Sequence, residues 1–334
     1  MIAALPLRKA LKLNSIMRHQ TIAIIGGTGF VGSHLACELA RRRYRIRVIS
    51  RRRERNRQLL VIPRLELVEA NVHSAASLST ALRGCDAVVN LVGILNQRGG
   101  AGESFADVHA NTPEKVAEAA RFNRIKRILH MSALSADADA PSEYLRSKAA
   151  GEESAHAQAT VGMQVTSFRP SVIFGQRDGL FSMLATALRI SPYFLPLACA
   201  QSRMTPVYVA DVVQAMANCL DDADSHGQRY DLCGPQVFSL GELAAYTAQV
   251  LELHRQIVPL PNSLAHLQAK MMSLIPGSPY NLDSYNSLQV DSVSNDNALP
   301  RLGITPTNIE SVVPGCLTGG DERFYSALRE TAGR

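Results

Sequence analysis

The sequence predicts an α/β protein, a doubly wound parallel sheet with a small C-terminal α+β lobe. Short apolar runs rich in β-branched residues alternate with helical stretches, the pattern of strands buried on both faces. The first of them, Ile22-Ala23-Ile24-Ile25, breaks at once into a glycine-rich turn and a helical stretch. A length of 334 residues, with 46% hydrophobic and 19% charged content, suits one large domain and a smaller lobe.

The opening turn is Gly26-Gly27-Thr28-Gly29-Phe30-Val31-Gly32. A strand, a glycine turn and a helix in that order make a site for a diphosphate. The first glycine permits the tight turn, the second lets backbone approach phosphate, and the third lets helix and strand pack closely. Gly26, Thr28, Gly29, Phe30, Val31 and Gly32 are therefore candidate cofactor contacts. The helix follows over 33–43, with Val31, Leu35 and Leu39 on one face. The spacing Gly-x-x-Gly-x-x-Gly resembles the short-chain dehydrogenase/reductase superfamily, in its extended and atypical branches. That resemblance implies a Rossmann-like fold and a nicotinamide dinucleotide.

Composition narrows the function classes. The net charge is +6, but ten arginines between Arg41 and Arg57 against the single Glu54 contribute +9, leaving about −3 elsewhere. Tyr44 is the only aromatic in that window and no nucleic-acid module is visible, so a phosphate-binding loop beside a solvated helix end explains the cluster better than nucleic acid. The six cysteines are scattered, without Cys-x-x-Cys spacing, which suggests neither a zinc site nor a disulfide framework and fits a cytoplasmic protein. No run of eighteen apolar residues occurs. Residues 1–20 lack any acid and are faintly like a transit peptide; the preferred reading makes Met17 the start and the rest an upstream extension.

The second strand, over 45–50, ends in Ser50-Arg51-Arg52-Arg53. An acid that would accept from ribose hydroxyls is missing there. Arg51 or Arg52 can instead fork onto a 2′-phosphate, so NADP(H) is expected over NAD(H). The third strand spans 65–72. Its end, Asn71-Val72, stands where extended members commonly carry Asp-Val or Asp-Leu against adenine. A short helix over 77–82 and a fourth strand over 85–92 follow. Asn90-Leu91-Val92-Gly93 resembles the family's cofactor-lining turn, which makes Leu91, Val92 and Gly93 candidates.

A polar loop over 96–104 leads into a long helix over 105–122, with Val108, Val116 and Ala120 inward. His109 is either an active-site lining residue or a structural helix histidine. The fifth strand, 127–131, precedes Ser132-Ala133-Leu134-Ser135. After another loop comes Tyr144-Leu145-Arg146-Ser147-Lys148, roughly 115 residues past the glycines. Spacing of four puts Tyr144 and Lys148 on one helix face, where an ammonium favours the phenolate and readies the tyrosine for proton exchange. Lys148 is also a candidate for the nicotinamide ribose. In extended members the third partner, a Ser or Thr that polarises the substrate oxygen, stands where this chain has Ala133; Ser132 or Ser135 is the substitute. The catalytic set is therefore Tyr144, Lys148 and Ser132.

The stretch over 163–175 resembles the sixth strand and the Arg-Pro turn beside the nicotinamide, implying contacts from Pro170 and Ile173. Further on, Val207-Tyr208-Val209 is expected to pair into the sheet and Asp211 to cap a helix start. Ser239 and Glu242 have capping-box spacing. Leu264, Leu267, Met271, Leu274 and Ile275 form a helical stripe, read as core or as a lid over the substrate cleft, with a membrane-facing role as the alternative. The boundaries are an extension over 1–20, a nucleotide-binding core over 21–175, remaining sheet elements and a lid lobe over 176–317, and a polar tail over 318–334.

Ser132-Ala133-Leu134, Tyr144 to Lys148, Arg-Pro-Ser-Val-Ile-Phe-Gly over 169–175 and Pro-Val-Tyr-Val-Ala-Asp-Val over 206–212 narrow the resemblance. The chain is similar, over roughly 20–315, to atypical short-chain dehydrogenase/reductases related to the NAD(P)H-binding accessory subunit of respiratory complex I. The resemblance implies an NADPH-preferring oxidoreductase on a small substrate, lipophilic or quinone-like, without nucleic acid. Alternatives are an accessory or assembly protein with structural NADPH, peripheral to the inner membrane or a respiratory complex, and a nucleotide-sugar or sterol-type dehydrogenase or epimerase.

Overall fold

A computed structural model describes residues 20–97, 104–159, 162–275, 278 and 280–318. The extension with its two candidate starts, the centre of the polar loop and nearly all of the tail lie outside these residues.

Strands and helices alternate through the first half, with a 3₁₀ stretch over Arg53–Val61 in place of an α-helix between the second and third strands. β1 (Thr21–Ile25) runs into α1 (Phe30–Arg41), β2 (Arg45–Ser50), β3 (Leu65–Glu69), α2 (Ala75–Ala81) and β4 (Ala87–Asn90). A π-helical turn over Ala106–Asn111 opens α3 (Thr112–Phe122), and β5 (Arg127–Met131), α4 (Glu143–Ala157) and β6 (Gln164–Pro170) follow. With β11 (Arg229–Leu232), these strands form a seven-stranded sheet in the order β11-β6-β5-β4-β1-β2-β3, every neighbouring pair parallel. The order reverses between β1 and β4, where a crevice opens at the strand ends.

Both faces of the sheet are covered because alternate side chains point opposite ways. From β1, Ile22 and Ile24 join one core with Leu35, Leu39, Val212 and Met216. Ala23 and Ile25 join the other, with Leu78, Val116, Ala120 and Ala155. The predicted doubly wound sheet is the observed one. Several boundaries differ: the third strand stops at Glu69 and the fourth spans only Ala87–Asn90.

Within 163–175 the sixth strand covers Gln164–Pro170, and β7 (Ile173–Phe174) pairs with β10 (Val207–Tyr208) in a separate parallel ribbon. Val207 and Tyr208 thus stay out of the main sheet, and Val209 opens α6 (Val209–Cys219). Nor does Asp211 cap that helix. Its carboxylate lies inside the first turn and accepts from the Thr307 backbone N–H at 2.8 Å and the Thr307 hydroxyl at 3.0 Å, tethering the C-terminal segment.

The lobe is α+β. α5 (Leu180–Ile190) and α7 (Leu240–Val250) share a core of Phe174, Phe181, Leu184, Leu240 and Leu243. Ser239 and Glu242 form the predicted capping box on α7. β8 (Phe194–Leu197) pairs in parallel with β13 (Gln256–Pro259), and β9 (Arg203–Met204) antiparallel with β12 (Phe238–Ser239). α8 (Asn262–Ser273) then packs on α9 (Leu282–Ser287), and α10 (Val313–Thr318) ends the described chain. The apolar stripe of α8 is not core: all five of its residues are exposed, and Ala265 and Ala269 are the buried ones. Only small side chains fit where α8 meets its neighbours, so the large ones face outward.

Candidate active site

The glycine turn is built as its spacing demands. Gly26 adopts φ +80°, and a Cβ there would stand 2.9 Å from the Leu91 carbonyl carbon. A Cβ on Gly32 would fall 2.4 Å from the Gly26 carbonyl oxygen, so only glycine lets α1 start this close to β1. Gly29 turns back through its N–H to the Gly26 carbonyl at 3.1 Å and stands at the N-cap of α1 without a side-chain cap. The amides of that first turn are left for an external acceptor.

A cavity of about 810 Å³ opens at this turn. Of the sequence candidates, Gly26, Thr28, Gly29, Arg51 and Arg52 line one end, and Val72, Leu91, Val92 and Gly93 line the rest. Phe30, Val31 and Gly32 lie behind the wall in the first turns of α1. Asn71 is exposed and closes an Asx turn by accepting from the His73 N–H, and His73 takes the place at the wall. Sequence reasoning also missed Arg55 and Asn56. Arg55 belonged to the same arginine run; Asn56 gave no signal, yet its amide donates to the Ser50 hydroxyl and Arg52 carbonyl and props up the arginine loop. Pro170 ends β6, where its carbonyl accepts from the Leu134 N–H at 3.0 Å, and Ile173 opens β7.

α4 and the π-helical turn stand behind Gly93 and Ile94 of the cavity wall. Lys148 is buried and donates to the Met131 carbonyl at 2.7 Å; its Nζ lies 3.9 Å from where a Cβ on Gly93 would be. Burial pushes its ammonium down to about 8. His109 is buried beside it. Its Nε2 accepts from the Ile94 N–H at 3.0 Å, so the proton sits on Nδ1 and donates to Ser147 Oγ at 2.8 Å. Ser147 in turn donates to the Tyr144 carbonyl at 2.7 Å. Burial, helped by the neighbouring Lys148 charge, holds the imidazole neutral, down to about 3. The histidine therefore joins the cavity loop to the Tyr144–Lys148 helix. Gly151 permits this contact, because a Cβ there would meet the His109 carbonyl oxygen at 1.8 Å.

Tyr144 stands edge-on to His109 with ring centroids 5.4 Å apart. Its hydroxyl differs from the sequence expectation: burial, with a smaller contribution from the Asp283 carboxylate, raises it to about 12. At neutral pH it holds its proton. Asp283 itself accepts from the Glu143 N–H at 2.7 Å and the Tyr144 N–H at 3.2 Å, so the lobe caps the Tyr144–Lys148 helix beside Ser142. Ser135 is committed to the Asp291 carbonyl. Ser132, at 3% exposure, has a hydroxyl with no protein partner. A buried orphan hydroxyl costs roughly 1–3 kcal/mol unless a bound molecule satisfies it. The chemistry of these residues fits a dinucleotide: an amide-rich turn and arginines at one end, proton-bearing and hydrogen-bonding groups at the other. Among the described residues no group of three or more His, Cys, Asp or Glu could hold a metal ion, and no helix is long and apolar enough to cross a membrane.

The sequence profile of the NAD dependent epimerase/dehydratase family matches residues 22–233. The chain is 31% identical over 293 residues to the mitochondrial NADH dehydrogenase [ubiquinone] 1 alpha subcomplex subunit 9 of Arabidopsis thaliana, covering 83% of this chain and 71% of that one. It is 32% identical over 197 residues to a ceramide reductase of Caulobacter vibrioides, covering 57% of each. Among solved structures, NADPH-dependent quinone oxidoreductase QOR2 of Escherichia coli, complexed with NADPH, superposes with a TM-score of 0.68 at 20% identity, covering 87% of this chain and 98% of that one.

Proposed function

Because this chain belongs to the NAD-dependent epimerase/dehydratase family and is a relative of the complex I subunit 9 proteins, we propose that it is an NADPH-preferring oxidoreductase of the short-chain type. The observation that carries this reading is the layout of one cavity, with Arg51, Arg52 and Arg55 at one end and the Tyr144–Lys148 helix behind the other. The amides after Gly29 would face the pyrophosphate, and Arg51 or Arg52 the 2′-phosphate. Val72 and His73 would flank the adenine. Leu91, Val92, Gly93, Pro170 and Ile173 would wall the nicotinamide end, with Lys148 on its ribose.

When bound, the reduced nicotinamide supplies a hydride. The chain's own residues would manage the substrate oxygen. Ser132 Oγ–H would donate to it, and Tyr144 Oη, still protonated, would release its proton there as negative charge develops. Lys148 would steady that charge and His109 hold the helix in register with the cavity loop. The substrate is proposed to be a small carbonyl compound with a lipophilic or quinone-like body; ceramide reductase and quinone oxidoreductase in the comparisons support that class.

The similarity to subunit 9 proteins favours a second reading, a non-catalytic accessory protein peripheral to the inner membrane or a respiratory complex, with NADPH retained for structure. Calorimetric titration with NADPH and NADH, followed by extraction of any copurified nucleotide, tests the first half of both. The expected result is NADPH bound at least about tenfold more tightly, the worth of one charge-assisted phosphate contact. A folded sample that binds neither nucleotide would refute the reading. Release of NADPH with turnover on hydrophobic aldehydes or quinones selects the enzyme; retention without turnover selects the accessory protein.

A further inference from the structure

The C-terminal lobe leaves apolar surface uncovered on two adjoining elements. Leu264, Leu267 and Met271 on α8, with Leu274 and Ile275 just past its end, are all exposed, Leu274 at 83%, while Ala265 and Ala269 pack against Ala198 and Tyr285. The ribbon that leads into α8 has the same asymmetry. In its register Phe194 pairs with Gln256 and Pro196 with Val258, and Phe194, Pro196 and Val258 are exposed. Their neighbours Leu195 and Ile257 pack inward against Leu188 and Ala248. Ile190 and Tyr193, each 78% exposed, extend the patch at the start of the ribbon.

The two segments that build this surface carry charge of one sign. No acid occurs from 179 to 210 or from 253 to 282, whereas Arg189, Arg203, Arg255 and Lys270 do, Arg203 being paired with Asp291. Pairing of two copies about a twofold axis would set these cations against each other without a carboxylate to offset them. A basic rim around exposed Leu, Met, Phe and Tyr is instead the composition of an element lying in a lipid–water interface.

We propose that this face docks on an anionic phospholipid bilayer, the apolar stripe seated at the headgroup–acyl boundary and the arginines and lysine on the headgroups. The docked end adjoins the cavity. Asn96, on the cavity wall, donates to the Ser278 carbonyl at 3.2 Å and accepts from the Asn281 side chain at 2.7 Å, which ties the connection between α8 and α9 to the cavity. On the oxidoreductase reading, a substrate with a hydrocarbon chain reaches the mouth from the bilayer.

The chain contains no tryptophan, so Leu267→Trp places a single reporter on the stripe. Mixed with phosphatidylcholine vesicles containing phosphatidylglycerol, the full chain should co-sediment and the Leu267→Trp emission shift to the blue. Pure phosphatidylcholine and high salt should weaken both. Arg255→Gln and Lys270→Gln should each weaken binding about fivefold, and the double variant Met271→Glu/Leu274→Glu should abolish it. Exposure of both sites lets that variant fold, which its circular dichroism and NADPH binding check. A folded chain that ignores anionic vesicles, or binds them as well with both glutamates, overturns the proposal. So does a vesicle-independent blue shift that grows with concentration as the mass doubles, because a second copy then covers the face. Vesicle binding is read without nucleotide, so failure here is distinguishable from failure of the NADPH reading.

Discussion

Three side chains behind the inner end of the cavity carry the proposed chemistry, and their surroundings tune each differently. Tyr144 is raised to about 12 and remains a proton donor, Lys148 is lowered to about 8, and Ser132 keeps an unused hydroxyl. If Tyr144 is the acid, Tyr144→Phe should lower kcat by about 10²–10⁴-fold and leave the NADPH dissociation constant within about twofold. Steady-state kinetics beside calorimetry would show the split. His109 makes a different prediction. It is neutral in the fold down to about 3, whereas the unfolded chain's histidine protonates near its ordinary value of 6.5. The unfolded state therefore binds the extra proton between those limits, and stability present above pH 6.5 is lost as pH falls. From pH 6.5 to 5 this one group should cost about 2 kcal/mol, at about 1.4 kcal/mol per pH unit. Urea midpoints across that range should fall less steeply in His109→Gln.

At the scale of elements, two close approaches hold the cavity's shape. α1 starts against β1 only because Gly32 lacks a Cβ, and α4 touches the π-helical turn only because Gly151 does. Both neighbours are main-chain carbonyl oxygens that cannot swing away. Gly32→Ala and Gly151→Ala should each destabilise by about 1–3 kcal/mol, the usual penalty of overpacking, and weaken NADPH. Gly179→Ala, with nothing within 4 Å of its Cβ and φ −83°, should be close to neutral. Melting temperatures of the three variants, with and without NADPH, test this ordering. The Tyr–Lys spacing was legible in sequence because four residues span one helical turn. The π-helical turn that brings His109 to Ile94 was not, because its i→i+5 bonding has no distinctive residue pattern.

Over the whole molecule, the lobe and the sheet share the Tyr144–Lys148 helix. Asp283 caps its start, Ser135 bonds the Asp291 carbonyl and Thr307 binds Asp211, so C-terminal segments are tied to elements far earlier in the chain. A nucleotide bound only by the folded chain should stabilise all of it, by about 2.7 kcal/mol at a hundred times its dissociation constant. Thermal shifts with NADPH larger than with equal NADH would agree with the proposed preference. The order of strands and helices, the diphosphate turn and the tyrosine–lysine pair were determined by the sequence itself, because each rests on a local period or a fixed spacing. The tertiary structure alone decided what covers a face or answers a charge. It left the stripe of α8 in the open, gave Val207-Tyr208 to a side ribbon, turned Asp211 toward Thr307 and raised rather than lowered the Tyr144 hydroxyl. Periodicity marks which residues share a side; only packing against segments far along the chain settles whether that side meets protein or solvent.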